Sequence, residues 1–123
     1  MKAVVCEELG APENLRYMDI PNPSLCSGQV LIDVKAVGVN FPDNLIIQGL
    51  YQEKPTLPFV PGMELSGVVA GVADDVTEFD VGDRVLSTTG TGAYCEQVAV
   101  EKHRCIGMPD SLDFNKAAAL MCV

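Results

Sequence analysis

The chain has 123 residues, of which 48% are hydrophobic and 20% are charged, and its formal net charge is −9 at pH 7. A chain of this length and composition can bury the core of one ordinary domain. The negative charge argues against nucleic acid or an anionic membrane as a partner, because both need a basic binding surface. No run approaches the ~20 apolar residues that cross a bilayer, and the start lacks the long apolar core of a secretory signal. We therefore expect a cytoplasmic protein.

The five cysteines are widely spaced and include no C-x-x-C pair. They are Cys6, Cys26, Cys95, Cys105 and Cys122. An odd, scattered set is typical of reduced thiols and not of a disulfide framework or a zinc cluster. This pattern supports a cytoplasmic location.

The first half of the chain predicts three strands and one short helix. The candidate strands are residues 1–6, 15–20 and 29–39, and the third alternates apolar with charged side chains. Residues 41–48 predict the helix, because Pro42 suits a first turn, Asp43 complements the positive end of the helix dipole, and Gly49 ends the pattern.

The second half continues with short strands between glycine turns. Residues 63–72 and 81–85 predict a strand pair, residues 93–100 predict a further strand, and a helix is predicted to begin at Asp113 as its N-cap and to run to residue 121. Short strands with frequent Gly and Pro turns indicate a mainly β fold, a small β-barrel with short peripheral helices.

Two ordered motifs carry a resemblance to a known family. The first is P-G-x-E-x-x-G-V-V from Pro61 to Val69, and the second is V-x-x-F-x-x-G-D-R-V from Val76 to Val85. Together they resemble the GroES-like catalytic domain of the medium-chain dehydrogenase/reductase superfamily. The upstream segments at residues 36–43 and 49–51 resemble its zinc-independent quinone oxidoreductase branch.

The resemblance implies that residues 1–123 are a GroES-like catalytic domain that is apparently truncated. In the family this domain leads into a nucleotide-binding Rossmann domain. That module is absent from this sequence, since no G-x-G-x-x-G opens a helix after a strand, and Gly90 and Gly92 are followed by no third glycine in register.

The resemblance also bears on metal binding. Zinc-dependent relatives carry a cysteine and a histidine as catalytic ligands where this chain has Asn40 and Met63, and their four-cysteine structural loop is missing here. His103 is the only histidine and has no Cys or His at ligand spacing. We therefore expect no zinc.

Asn40 and Asp43 at the start of the predicted helix have two interpretations. From the residues alone, an amide and a carboxylate there are best explained as helix caps. The resemblance implies instead that Asn40, Asp43 and Tyr51 are catalytic residues, with the Asn40 amide also contacting the nicotinamide and Tyr51 bordering the same cleft. Many members carry a tyrosine where this chain has Leu45, which weakens the case for a quinone as the natural acceptor.

Other polar residues are interpreted as structural. Gly82 and Asp83 predict a tight turn, Arg84 is expected to pair with a nearby carboxylate across the sheet, and Glu64 is not assigned a catalytic role. Tyr94 is interpreted as core or cleft wall, with core favoured.

The resemblance implies an NAD(P)H-dependent oxidoreductase that transfers hydride from NADPH or NADH to a small-molecule quinone or α,β-unsaturated carbonyl. The alternative is a non-catalytic, stand-alone β-barrel that serves as a binding or oligomerisation module. We also expect a homo-oligomer, because a truncated barrel leaves strand edges and apolar surface uncovered.

Overall fold

The structure, a computed structural model, describes residues 1–120. The described strands are β1 (Lys2–Val5), β2 (Arg16–Asp19), β3 (Gln29–Val37), β4 (Glu64–Val72), β5 (Arg84–Thr88), β6 (Gln97–Glu101) and β7 (Cys105–Gly107). The described α-helices are α1 (Phe41–Ile47), between β3 and β4, and α2 (Phe114–Ala118), after β7. None of the helices in this part of the chain is both long and apolar enough to cross a bilayer.

The strands form two antiparallel sheets. β1 pairs with β2, and the larger sheet has the order β6-β3-β4-β5-β7. Isolated bridges from Ala3 to Cys95 and from Cys6 to Phe59 join the small sheet to the rest of the fold. The mainly β class is confirmed, while the pairing of the described strands leaves two open sheets in place of a closed barrel.

The main core lies on one face of the larger sheet. Val30 and Ile32 of β3 are fully buried, as the alternation in the sequence predicted, and they pack with Leu65, Val69 and Val85 of the neighbouring strands. Removing a side chain of this size from water contributes about 1.5–3 kcal/mol, so β3 and β4 form a rigid platform. The residues that follow β3 and begin β4 are therefore held in fixed positions.

Several predicted elements are confirmed with shifted ends. The β4–β5 pair is antiparallel as expected, and Asp113 caps α2 through its Oδ1, which accepts from the Lys116 N–H at 2.7 Å. The predicted end of that helix at residue 121, like Cys122, lies outside the described residues. β7 was missed, because three residues are too few for a periodic pattern.

The segment between β4 and β5 contains the predicted turn and leads to Arg84. Gly82 adopts a φ of 97° and the Asp83 carboxylate accepts from the Asp80 N–H at 2.9 Å, so the predicted turn is present. The predicted ion pair of Arg84 is wrong within the described residues. The guanidinium donates to the carbonyls of Pro109 and Leu112 at 3.1 and 2.6 Å, because the segment before α2 brings those acceptors to the sheet.

Candidate active site

The loop between β3 and α1 places Asn40 and Asp43 together. Asn40 is the N-cap of α1 in extended geometry, and Asp43, three residues on, lies in the first turn. The Asn40 backbone N–H donates to Asp43 Oδ2 at 2.8 Å, which is the carboxylate half of a capping box. The negative charge also stabilises the positive end of the helix dipole.

The Asn40 side chain has a separate partner. Its Nδ2 donates to Oε1 of Glu64 at 2.8 Å, and Glu64 is the buried first residue of β4. A Cβ atom at Gly38 would overlap the Glu64 carboxyl group, so a glycine is required there for the two segments to approach. Capping and a site role are therefore compatible, because they use different atoms of Asn40.

Tyr94 completes this group from the segment before β6. Its hydroxyl donates to Asp43 Oδ2 at 3.0 Å, and its backbone N–H donates to the Pro61 carbonyl at 3.0 Å. Burial raises the pKa of the Tyr94 hydroxyl, and the charges of Asp43 and Glu64 raise it further. The hydroxyl is therefore a permanent donor at neutral pH.

We define the carboxylate network as Asn40, Asp43, Glu64 and Tyr94. Asp43 is 4% exposed, and its Oδ2 takes both donors described above. Its Oδ1 is buried without a hydrogen-bond partner among the described residues. Since an unpaired buried oxygen is costly, the orientation of this carboxylate depends on the two donors to Oδ2.

A cavity of about 120 Å³ lies beside the network. It is lined by Pro12, Leu15, Val39, Asn40, Asp43, Asn44, Ile47, Pro61 and Tyr94. The lining is apolar apart from a few amide, carboxylate and phenol groups, and it contains no basic side chain. Such a surface suits an uncharged ring with one or two polar substituents.

The residues on either side of Asn40 are unusually exposed for their type. Val39 is 83% exposed and Phe41 is 71% exposed. Large apolar side chains in contact with water beside a polar group are typical of a binding surface. The rim of the candidate site is therefore apolar.

Tyr51 lies apart from the carboxylate network. It is half-buried and packs against an apolar cluster that includes Cys6, Ile46 and Phe59. It is not among the residues that line the 120 Å³ cavity. The structure thus brings Asn40 and Asp43 together and places Tyr51 on the neighbouring apolar cluster.

A larger cavity of about 480 Å³ shares Val39 and Tyr94 with the candidate site. Its walls come mainly from β1 and β3, including Val4 and Val34, and they are largely apolar. The converging polar groups of the carboxylate network make the smaller cavity the better candidate for chemistry.

The metal ligands of zinc-dependent relatives have no counterpart at these positions. The Asn40 amide N–H donates to the Glu64 carboxylate, and Met63 packs at the edge of an apolar cluster. Within residues 1–120 no group of three or more His, Cys, Asp or Glu side chains is placed to hold a metal ion. The donor set does not fit a zinc ion, which takes three or four nitrogen, sulfur or carboxylate ligands.

From the sequence, Glu64 was given no catalytic role, and Tyr94 was placed in the core with the cleft wall as the alternative. The structure packs Tyr94 against the main core while its hydroxyl reaches Asp43. Tyr94 is 51 residues from Asp43, and Glu64 is 24 residues from Asn40. The P-G-x-E motif marked Glu64, but its partner could not be identified. No local signal marked Tyr94.

Comparisons with known proteins give the family. A family model described as the alcohol dehydrogenase GroES-like domain matches residues 26–110. The chain is 41% identical to human quinone oxidoreductase over 122 residues, covering 98% of this chain and 37% of that protein. The chain thus spans well under half the length of such curated relatives.

Solved structures agree. A probable oxidoreductase from Mycobacterium abscessus superposes with a TM-score of 0.94 at 42% identity, covering 99% of this chain and 39% of that one. Escherichia coli quinone oxidoreductase in complex with NADPH gives a TM-score of 0.92 at 29% identity, covering 98% and 37%. The chain belongs to the alcohol dehydrogenase GroES-like domain family, in the quinone oxidoreductase branch of the medium-chain dehydrogenase/reductase superfamily.

Proposed function

We propose that residues 1–123 are the catalytic-domain portion of an NAD(P)H-dependent oxidoreductase that transfers hydride, without zinc, to a quinone or an α,β-unsaturated carbonyl. The observation that carries the proposal is the carboxylate network beside an apolar cavity, with the Asn40 amide fixed at its edge. Relatives named quinone oxidoreductases, one of them solved with NADPH, support the same class.

The site fits only the nicotinamide end of the cofactor. The cavity offers apolar walls and an amide, which suit a flat carboxamide-bearing ring, and its lining has no basic group for phosphates. A nucleotide-binding domain outside residues 1–123 would hold the pyrophosphate at a helix N-terminus, as such domains do.

The chain's own residues would position the reactants and exclude water. When bound, the reduced nicotinamide supplies the hydride. Asn40 would orient the ring or the acceptor, and Asp43 would hold the Asn40 loop. Tyr51 would border the wider cleft from the neighbouring apolar cluster, outside the 120 Å³ cavity. The exposed apolar rim at Val39 and Phe41 would be covered on binding, which removes water from the reacting atoms.

The charges at the site favour an uncharged acceptor. Asp43 and Glu64 are both buried acidic residues, and the chain carries a net charge of −9. An anionic acceptor would be repelled by this field and would lose hydration without gaining a cationic partner. Quinones and enones are uncharged, so they avoid both the repulsion and the loss of ionic hydration.

Location and assembly belong to the same proposal. The cysteines at positions 6, 26, 95 and 105 are free thiols, which supports the cytoplasm, because oxidising compartments pair such residues. A homo-oligomer is supported by exposed apolar side chains such as Ile106 on the edge strand β7.

The test is NADPH oxidation by the full-length protein with a benzoquinone and with a simple enone, in the presence and absence of a chelator. We expect turnover that the chelator leaves unchanged, and no turnover by residues 1–123 alone, where the phosphate-binding part of the cleft is missing. Loss of activity with the chelator would contradict the zinc-free mechanism. Absence of both turnover and NADPH binding in the full-length protein would favour the non-catalytic module.

A further inference from the structure

We propose that the Tyr94 hydroxyl is a positioning residue for the reaction, acting through Asp43 on the loop that carries Asn40. This inference rests on the proposed function, because the loop matters for catalysis only if Asn40 contacts the reactants. It concerns a residue that lies outside the motifs at residues 36–43, 49–51 and 61–85.

Tyr94 is held by three segments of the fold. Its N–H donates to the Pro61 carbonyl at 3.0 Å, its carbonyl accepts from the Val4 N–H at 2.9 Å, and its hydroxyl reaches Asp43. Its ring lies so close to Gly62 that a Cβ atom there would come within 2.6 Å of Tyr94 Cδ1. The backbone and the ring are therefore fixed independently of the hydroxyl.

The hydroxyl controls the orientation of the Asp43 carboxylate. Oδ2 accepts from the Tyr94 hydroxyl at 3.0 Å and from the Asn40 N–H at 2.8 Å, while Oδ1 has no partner among the described residues. Without the hydroxyl, one donor remains on a buried carboxylate, which then gains by rotating toward water or another donor. Rotation would release the Asn40 N–H.

Releasing the Asn40 N–H would move its side chain as well. The Asn40 amide nitrogen is aimed at Glu64 across a gap that only a glycine at position 38 allows. A small shift of the loop therefore changes where the amide points. Misplacement of a positioning group by about 1 Å can cost up to about a hundredfold in rate.

Tyr94→Phe removes only the hydroxyl, with its bond to Asp43 and its longer 3.5 Å contact with the Gly38 carbonyl of the same loop, because the ring and its contact with Gly62 remain. Thr77→Val is the control, since it also removes one hydroxyl, and Thr77 is exposed between β4 and β5, where it donates to the adjacent Glu78 carboxylate at 3.3 Å. Both variants are made in the full-length protein. The measurements are kcat and KM for NADPH oxidation, NADPH affinity by fluorescence titration, and amide hydrogen exchange of the peptide that contains residues 38–43.

We expect Tyr94→Phe to lower kcat about tenfold or more, with NADPH affinity changed much less, and to speed exchange at residues 38–43. Thr77→Val should match the unsubstituted protein in all three measurements. Unchanged kcat, or exchange at residues 38–43 equal to that of the control, would overturn the proposal. If the unsubstituted protein neither binds nor oxidises NADPH, the proposed function and the catalytic part of this inference fail together. Exchange then decides alone whether Tyr94 fixes the loop.

Discussion

At the scale of single residues, Asn40 uses its backbone and its side chain for different partners. The backbone N–H is bound by Asp43 within the same helix start, while the amide reaches Glu64 on the next strand. Helix capping accounts for the first contact and not for the second. The second contact keeps a polar group at the edge of an apolar cavity, which is where hydride transfer needs an orienting group.

Tyr94 predicts an alkaline dependence of stability. Burial and the nearby carboxylates raise the pKa of its hydroxyl above the ordinary value of 10.0. A raised pKa means that the stability contributed by the neutral hydroxyl is complete below about pH 10 and is lost as the pH rises further. We expect the difference in unfolding free energy between the unsubstituted protein and Tyr94→Phe to narrow as the pH rises above about 10. Chemical denaturation at each pH measures it, and a constant difference would contradict the assignment.

The cysteines predict an order of alkylation. Burial raises the pKa of the Cys95 and Cys105 thiols to about 11, whereas the Cys26 side chain is exposed. Because the thiolate is the nucleophile, iodoacetamide at pH 8 should modify Cys26 at least about tenfold faster than Cys95 or Cys105. Peptide mass spectrometry with Cys26→Ser as control gives the rates. Equal rates at Cys26 and Cys95 would show that the segment before β6 opens freely.

At the scale of elements, the segment before β6 shows where sequence reasoning reached its limit. The sequence predicted a strand over residues 93–100, after the glycines at positions 90 and 92, but β6 begins only at Gln97. The N–H groups of Ala93 and Tyr94 donate instead to the carbonyls of Gly62 and Pro61. That partner lies about thirty residues away, and a local pattern contains no information about it. Because Tyr94 pairs with Pro61 and not with a strand of the sheet, its hydroxyl can reach Asp43.

Other elements were predictable because their causes are local. α1 begins where Pro42 and Asp43 favour a helix start, and the fully buried positions of β3 follow from its alternation. The hydrogen bond between Asn40 and Glu64 was not predictable, since it depends on the register of β3 against β4. Both residues lie in the motifs that carry the resemblance, but Glu64 was given no role there, and only the assembled sheet shows that its carboxylate meets the Asn40 amide.

The helix α2 offers a test of a locally predicted feature. Asp113 caps it, while Ser66 of β4 donates to the Phe114 carbonyl at 2.6 Å and anchors the same turn to the sheet. We expect Asp113→Ala to lower the free energy of unfolding by about 1 kcal/mol, the usual contribution of an N-cap. Asn115→Ala, at an exposed position of the same helix, should have little effect. Equal losses in the two variants, measured by urea unfolding, would show that the cap contributes nothing.

At the scale of the whole molecule, the larger sheet ends in two edges, β6 and β7. β7 is short and carries Ile106, which is 48% exposed. Unpaired strand edges with apolar side chains favour pairing with another chain. The net charge of −9 makes two copies of the chain repel each other. Self-association therefore requires that the apolar contact at β7 outweigh this repulsion.

We expect isolated residues 1–123 to self-associate at micromolar concentrations through this edge. Ile106→Lys should shift the equilibrium toward monomer, whereas Val81→Lys, in the turn between β4 and β5, should not. Light scattering behind a sizing column measures the mass. A concentration-independent monomer near 13.1 kDa for the unsubstituted chain would contradict the expectation and favour the stand-alone module.

In the proposed mechanism the Asn40 side chain orients a reactant, in addition to the capping done by its backbone. Asn40→Ala and Asn115→Ala are compared in the full-length protein by measuring kcat for NADPH oxidation with a benzoquinone together with the melting temperature. We expect Asn40→Ala to lower kcat about tenfold or more, beyond any loss explained by unfolding, while Asn115→Ala leaves kcat unchanged. If Asn40→Ala lowers the melting temperature and leaves kcat intact, the Asn40 side chain has only a structural role and the assignment of this site is wrong.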